Sequence, residues 1–430
     1  MNRWAWAMMV LMLGPGGPPA AAATATGDSP AALLDRIRIL TAPAFAGRGA
    51  GAPESVAVAE TLAVWLEAAG LEPAFAGAWV QEFPLRGAGW AGQDLSGTAG
   101  RNLAGLRRGT GRLAGRWIVL GAHHDHLGRV EPAPPGASPP AADAYYPGAN
   151  DNASGVSAVL AAARSLAAVT ADDRRGLLVV LFDGEEVGLQ GSGWFVEHAP
   201  VPLDSIDAMV NLDTVGRLQE GTLHVSGVGT AEGLAPLVAA AEQGDFRVRT
   251  ARGGWSGSDH MVFNTREVPV VFLFGGAYPQ YNRPGDTVAA LDPSALRSVA
   301  AYAARLTDQL LCTRADLGWI MVGDGPLRDD GEAEAGQNRD TWLGTLPDFS
   351  EDVRGYRLAG VFDGSPAQGA GLQKGDVLVR FAGREVSDLA SFTRALRSAD
   401  PGDPVEVEVL RDGRPLRFTV VMGDRAQRKQ

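Results

Sequence analysis

The chain has 430 residues, 45% of them apolar and 20% charged, which suits two or three domains with a large core and excludes a wholly disordered chain. Its 56 glycines and 27 prolines, about 19% of the whole, stay below the roughly 25–30% at which low complexity becomes the default reading. A net charge of −12 repels phosphate, so no nucleic-acid partner and no anionic membrane surface is expected; cationic ligands and metal ions remain open.

The N-terminus carries Arg3, an apolar run from Trp4 to Leu13, and small residues from Ala20 to Ala25. That three-part form predicts a secretory signal over 1–25, cleaved near Ala23 or Ala25 and too short for a stable membrane span. No cysteine follows at the cleavage region, so lipid anchoring is not expected, nor is an integral span elsewhere. The expected location is periplasmic or secreted. The single cysteine, Cys312, cannot form an intramolecular disulfide and reads as a buried helical thiol.

From 26 to 321 helical and strand-like runs alternate. Val56 to Ala69 has helical periodicity and ends at Gly70; Trp117 to Ala122, Leu177 to Phe182, Ala208 to Leu212 and Val268 to Phe274 are short apolar strands. Ala153 to Ala168, Leu234 to Glu242 and Asp292 to Leu311 read as helices. Near-continuous apolar strands between helices predict an α/β fold: a mixed, mainly parallel sheet covered by helices on both faces. The run Pro132 to Pro140 reads as a surface loop. The stretch 322–340 turns acidic and Gly-rich and reads as a linker, with an exposed loop as the alternative. Residues 341–424 then form a small β-rich domain with a helix at Leu389 to Ser398, a hairpin at Asp412-Gly413, and a tail over 425–430.

The chemistry-bearing residues follow the strand ends. His123-His124-Asp125-His126 comes after the first apolar strand, Asp183-Gly184-Glu185-Glu186 after the second, and Asp213 after the third, with Asp151 in GANDNASG between. Ligands of open α/β sheets bind beyond the carboxyl ends of strands, so Asp151, Glu185, Glu186, Asp213 and His123 are expected to share one crevice. One such acid is commonly a cap or turn residue. Four of them with an imidazole would have to take up protons unless a divalent cation sits among them. Mixed imidazole and carboxylate donors suit Zn2+, one or two per chain, and the adjacent Glu185 and Glu186 can divide the roles of base and ligand.

The motifs GAHHDHLG (121–128), GANDNASG (148–155), FDGEEVGLQGS (182–192), NLDTVG (211–216) and GWSGSDHMVF (254–263), with AFAGRGAGAPE (44–54) upstream, resemble those of the co-catalytic di-zinc aminopeptidases, the bacterial leucyl aminopeptidase and aminopeptidase Y type. The resemblance covers about 30–310. It implies a zinc-exopeptidase fold in which His123, Asp151 and Asp213 hold one zinc, Asp151 bridges, and Glu186 helps hold the second. It further implies Glu185 as general base toward a metal-held hydroxide, Asp125 as the residue orienting His123, and Tyr281 as a substrate-binding phenol. The family closes its site with a Tyr-His-x-Pro-x-Asp segment whose histidine binds the second zinc, whereas this chain reads Tyr281-Asn282-Arg283-Pro284-Gly285-Asp286 and has no histidine after His260. His260 reads as part of a structural hydrogen-bond network, with replacement of the absent histidine as the alternative. His126 is expected to pack under the site, and His198 and His224 to be surface or turn residues. Arg48, Arg217 and Arg283 read as solvated or structural residues, with contact to a substrate carboxylate as the alternative for each.

Residues 341–424 resemble a PDZ domain of the exported-protease type: TWLGTL (341–346) as carboxylate-binding loop, GSPAQGAGLQKGDVL (364–378) as loop-helix-strand signature, and RDGRPLRFTVVM (411–422) as closing hairpin. Such a domain binds C-terminal peptides or protein ends by strand addition. The combined expectation is an exported zinc-dependent aminopeptidase acting on peptides with a free N-terminus. A catalytically impaired binding protein on the peptidase fold, and a mononuclear glutaminyl-cyclase-like acyltransferase, are the alternatives.

Overall fold

The computed structural model describes residues 27–424 apart from 88, 90–92, 131–143, 244, 255–256, 277, 323–340, 348–352, 363, 388–390, 393–394 and 397. The expected signal (1–25), the loop 132–140, all of the linker but Val322, and the tail lie outside the described residues. So does part of the helix expected at 389–398, of which Ser391, Phe392, Ala395 and Leu396 are helical.

The strands are β1 (Glu72–Pro73), β2 (Val80–Pro84), β3 (Ala99–Arg107), β4 (Trp117–His123), β5 (Gly176–Phe182), β6 (Ile206–Asp213), β7 (Thr222–Ser226), β8 (Arg247–Thr250) and β9 (Val270–Phe274). Among the described residues they form one nine-stranded sheet, ordered β1-β3-β5-β4-β6-β9-β7-β8 with β2 paired to β3. Its centre, β5-β4-β6-β9, is parallel. Every residue of β4 and β5 is buried, as their unbroken apolar runs require when both faces are covered.

The helices are α1 (Pro30–Leu40), α2 (Ser55–Ala68), α3 (Gly155–Ser165), α4 (Gln190–Glu197), α5 (Leu234–Ala241), α6 (His260–Thr265) and α7 (Pro293–Cys312). Side chains of α1, α2, α3, α5 and α7 pack one face of the sheet, and Phe195 of α4 and Phe263 of α6 the other. Local chemistry sets the ends: Asp292 caps α7 by accepting from Ser294 N (2.9 Å) and Ala295 N (3.0 Å), with Pro293 at the first helical position. Cys312, the last residue of α7, is half-buried rather than buried. No described helix is long and apolar enough to cross a membrane.

The C-terminal strands are β10 (Thr341–Trp342), β11 (Thr345–Pro347), β12 (Tyr356–Val361), β13 (Val377–Phe381), β14 (Arg384–Glu385), β15 (Pro404–Arg411), β16 (Arg414–Val421) and β17 (Gly423–Asp424), with α8 (Pro366–Ala370). A six-stranded sheet runs β11-β12-β13-β15-β16 with β14 on β13. The β15–β16 hairpin closes through Asp412 (φ 49°) and Gly413 (φ 75°), the pair of positive φ values that Asp-Gly permits and a right-twisted hairpin needs. β11 is an edge strand, entered directly from Gly344.

Arg48 fastens the loops that carry the site. The residue is buried, and its guanidinium donates to four carbonyls: His124 O (2.8 Å), Leu40 O (2.9 Å), Pro147 O (2.8 Å) and Gly148 O (2.9 Å). Burial lowers its pKa to about 10 against the opposing pull of Asp286, Asp125, Asp151 and Glu186, which still leaves it charged at neutral pH. Of its two expected roles, the structural one holds. Replacing Arg48 by Ala strands these acceptors and removes a buried cation, and is expected to cost about 3 kcal/mol or more. Arg48→Lys should recover only a fraction, since an ammonium cannot reproduce the fork. Urea unfolding followed by tryptophan fluorescence checks both; a loss below about 1 kcal/mol for the alanine variant would contradict the anchoring role.

Candidate metal centre

Parallel register aligns the carboxyl ends of the central strands: His123 pairs with Phe182, and Gly121 with Asn211 two residues before Asp213. The segments that follow therefore emerge side by side. Asp151 enters from Ala149–Ser154, a distorted helical turn preceding α3. Asn152 ties that turn to β6, donating to Leu212 O (2.9 Å) while its Oδ1 accepts from Gly155 N (2.9 Å) and Thr214 N (3.2 Å).

Two groups of donor atoms result. His123, Glu185 and Asp213 form one; His126, Asp151 and Glu186 form the other. Asp151 lies between them, with Oδ1 3.3 Å from His123 Nε2 and Oδ2 4.0 Å from His126 Nδ1. Asp213 Oδ2 stands 3.4 Å from His123 Nε2. Separations of 3.3 and 3.4 Å are long for charge-assisted hydrogen bonds. They match two ligands sharing one tetrahedral zinc, which at bond lengths of about 2.0–2.1 Å stand roughly 3.3 Å apart. Asp213 Oδ1 is buried and has no hydrogen-bond partner. Donor types and the spacing around His123 thus fit zinc; in the other group the donor types fit, while His126 Nδ1 stands at hydrogen-bond distance, 2.7 Å, from Glu186 Oε1.

Asp125 couples the halves. Its backbone carbonyl lies 3.2 Å from His123 Nδ1, and its Oδ1 3.6 Å from the same nitrogen. Its carboxylate oxygens accept from the amides of Glu185 (3.1 Å) and Glu186 (3.2 Å). One residue therefore places both glutamates relative to His123, its carbonyl meeting the imidazole and its carboxylate the two amides. Burial opposes its ionisation, but His123 outweighs that and holds the Asp125 carboxyl below its ordinary range.

The other acids behave oppositely. Burial, reinforced by Glu186, pushes Asp151 up to about 7; burial, with Asp125 and Asp213 adding to it, pushes Glu186 up to about 8. Glu185 is raised well above the carboxylate range, again by burial first. Burial works against a charged His123, yet Asp213 and Glu185 raise its pKa well above the usual imidazole value. Without a cation the cluster holds protons instead, as buried like charges must. His126, by contrast, is kept neutral, its pKa lowered to about 4 by burial, with Arg48 contributing.

Tyr281 stands in the electrostatic field of the cluster: burial and the charges of Asp151, Glu186, Glu185 and Asp213 keep its phenol protonated. Asn282, in a left-handed turn (φ 56°), follows it. Several supporting residues escaped the sequence reading. Asp286 accepts from Asn150 N (3.0 Å), Asp151 N (3.0 Å) and Tyr278 OH (3.0 Å), fixing the Asp151 turn. Ser258 donates to Asp213 Oδ2 (2.9 Å) and accepts from Asn211 Nδ2 (2.9 Å). Spacing alone does not reveal such partners, because single acids and serines in turns have many uses.

Two histidine expectations need correction. His126 does not pack under the site: its Nδ1 lies 2.7 Å from Glu186 Oε1, inside it. His224 belongs to β7 rather than to a turn. His260 keeps its structural reading: it stacks on Phe272 with ring centroids 4.1 Å apart and joins neither donor group, so it does not replace the absent histidine. Arg217 donates to Gln280 Oε1 (3.2 Å), and Arg283 lies over the Phe362 ring of the C-terminal domain at 5.9 Å.

Comparison with known proteins places both halves of the chain among known relatives. Residues 102–307 match the model of peptidase family M28, and 344–422 that of the PDZ domain. The chain is 32% identical over 165 residues to aminopeptidase YwaD of Bacillus subtilis, a stretch that is 36% of this chain and 35% of that protein. Among solved structures it is similar in fold to BSAP, a zinc aminopeptidase from Bacillus subtilis (TM-score 0.54, 16% identity, covering 68% of this chain and 98% of that one). It is likewise similar to the glutaminyl cyclase of Porphyromonas gingivalis (TM-score 0.51, 20% identity, 66% and 99% covered). The chain carries a peptidase M28 domain followed by a PDZ domain.

The raised carboxyl groups set a pH dependence for the metal-free protein. Asp151 and Glu186, near 7 and 8 when folded, have ordinary values of 3.8 and 4.5, so the folded state binds more protons across that interval. Stability contributed by these groups is full below about pH 4 and is lost as pH rises toward 8. Zinc, when bound, would take the place of those protons. The rise in Tm on adding zinc should therefore be larger at pH 8 than at pH 5.5, measured by differential scanning fluorimetry on chelator-treated protein; equal rises would contradict the clustered acids.

Proposed function

We propose that this chain is an exported zinc-dependent aminopeptidase, hydrolysing the first peptide bond of substrates with a free N-terminus. The observation that carries the reading is Glu185: its carboxyl groups with His123 and Asp213, its amide is held by Asp125, and its pKa is raised out of the usual carboxylate range. A base so placed can accept a proton from an attacking water and return it to the departing amine. Zinc, held by His123, Asp151 and Asp213 and on the other side by Glu186, would lower the pKa of water toward neutrality and polarise the scissile carbonyl. Tyr281 OH, kept protonated, would donate to the oxyanion that develops on that carbonyl. The surrounding carboxylates favour a substrate ammonium.

The leader-like N-terminal run supports export. For the PDZ domain we propose binding of peptide C-termini along β11, the edge strand that follows Gly344 (φ 82°), whose carbonyl accepts from Phe362 N (2.9 Å).

Glu185→Gln keeps the side-chain volume and removes the base. It should lower kcat on a leucyl anilide by about 10²–10⁴-fold while zinc content is retained. An N-acetylated anilide should resist the parent enzyme. Conversion of an N-terminal glutamine peptide to its cyclised form, with no amino acid released from any substrate, would instead establish acyl transfer; absence of both activities in zinc-loaded protein would establish a binding protein.

A further inference from the structure

The second donor group lacks the histidine that the Tyr-His-x-Pro-x-Asp segment supplies in the family it resembles, because position 282 is Asn. All six histidines of the chain are described, and four besides His123 and His126 are occupied elsewhere. His124 Nε2 faces Arg101 O at 2.9 Å, His198 stacks on Trp194, His224 lies in β7, and His260 stacks on Phe272. His126 alone of the five points a ring nitrogen at Glu186 (2.7 Å) and Asp151 (4.0 Å) together.

Two features fix that ring where it is. Gly148, at φ 59°, leaves the space the ring fills: a Cβ there would come within 2.5 Å of His126 Cδ2 and Cγ. The ring's other nitrogen, Nε2, is buried without a hydrogen-bond partner, so the polar contacts of the imidazole are directed at the acids of the site. A histidine serving only to brace Glu186 would not need to face Asp151 as well.

We propose that His126 Nδ1 is the nitrogen ligand of the second zinc position, completing a set with Asp151 and Glu186 and taking the place left by Asn282. The assignment rests on the metallopeptidase reading above and adds a ligand that the sequence motif does not name. Asn282, whose Oδ1 is buried without a partner, is the competing donor.

Zinc titration of the metal-free full chain by calorimetry, with bound zinc counted by elemental mass spectrometry after dialysis, decides between them. The parent should bind two zinc ions. His126→Gln should weaken the second site by at least about 100-fold and leave the first within about threefold, while Asn282→Ala should leave both sites within about threefold. Adding Asn282→His to His126→Gln should restore the second ion, which also shows that the single variant was folded. A second ion retained in His126→Gln, or lost in Asn282→Ala alone, overturns the assignment. A parent that binds one zinc overturns it too, yet leaves the peptidase reading standing if the leucyl anilide is cleaved; a parent that binds none and cleaves nothing overturns the peptidase reading itself.

Discussion

Mutual repulsion among buried carboxylates is the constraint around which this molecule is organised. Asp151, Glu185, Glu186 and Asp213 meet at the carboxyl ends of parallel strands, with Asp125 directly behind them. Folding alone would penalise such a cluster heavily, since each ion loses water and gains like-charged neighbours. Three kinds of positive or proton-bearing partner meet the demand: protons in the empty protein, metal ions in the loaded one, and the Arg48 guanidinium in both. The fold supplies rigidity, through β4 and β5 buried along their whole length, so that the acids cannot relieve the repulsion by moving apart.

Asp125 shows how few groups carry the alignment. Its carboxylate receives two consecutive amides and its carbonyl meets His123, so the distance between imidazole and glutamates is set by one residue rather than by the packing of two loops. Asp286 and Ser258 act in the same way on Asp151 and Asp213. His123, Asp151, Glu185, Glu186 and Asp213 are thus each held by a neighbouring residue, the arrangement that gives a metal site its geometry before the metal enters.

The central strands were legible because a strand covered on both faces must be apolar throughout, and the acids beyond them because sheet topology leaves one edge for ligands. The Asp-Gly hairpin was legible for a similar reason: two consecutive positive φ values admit few residue pairs. The direction of each imidazole in His123-His124-Asp125-His126 was not. Alternation ends where β4 ends, and the chain then turns, so sequence position no longer says which face a side chain takes. His124 turns toward the Arg101 carbonyl and His126 toward Glu186, a contact made across 60 residues of sequence that periodicity does not encode. For Arg48 a structural role was legible but its partners were not, for nothing in its neighbourhood announces one carbonyl eight residues back and three more from two distant segments.

Arg48 has a consequence for how such a protein comes into being. A guanidinium is made with the chain and cannot be left behind, whereas an ion must be found by a molecule that already exists. The pocket therefore has one permanent countercharge from the moment its loops close, and acquisition of zinc can follow the acquisition of shape.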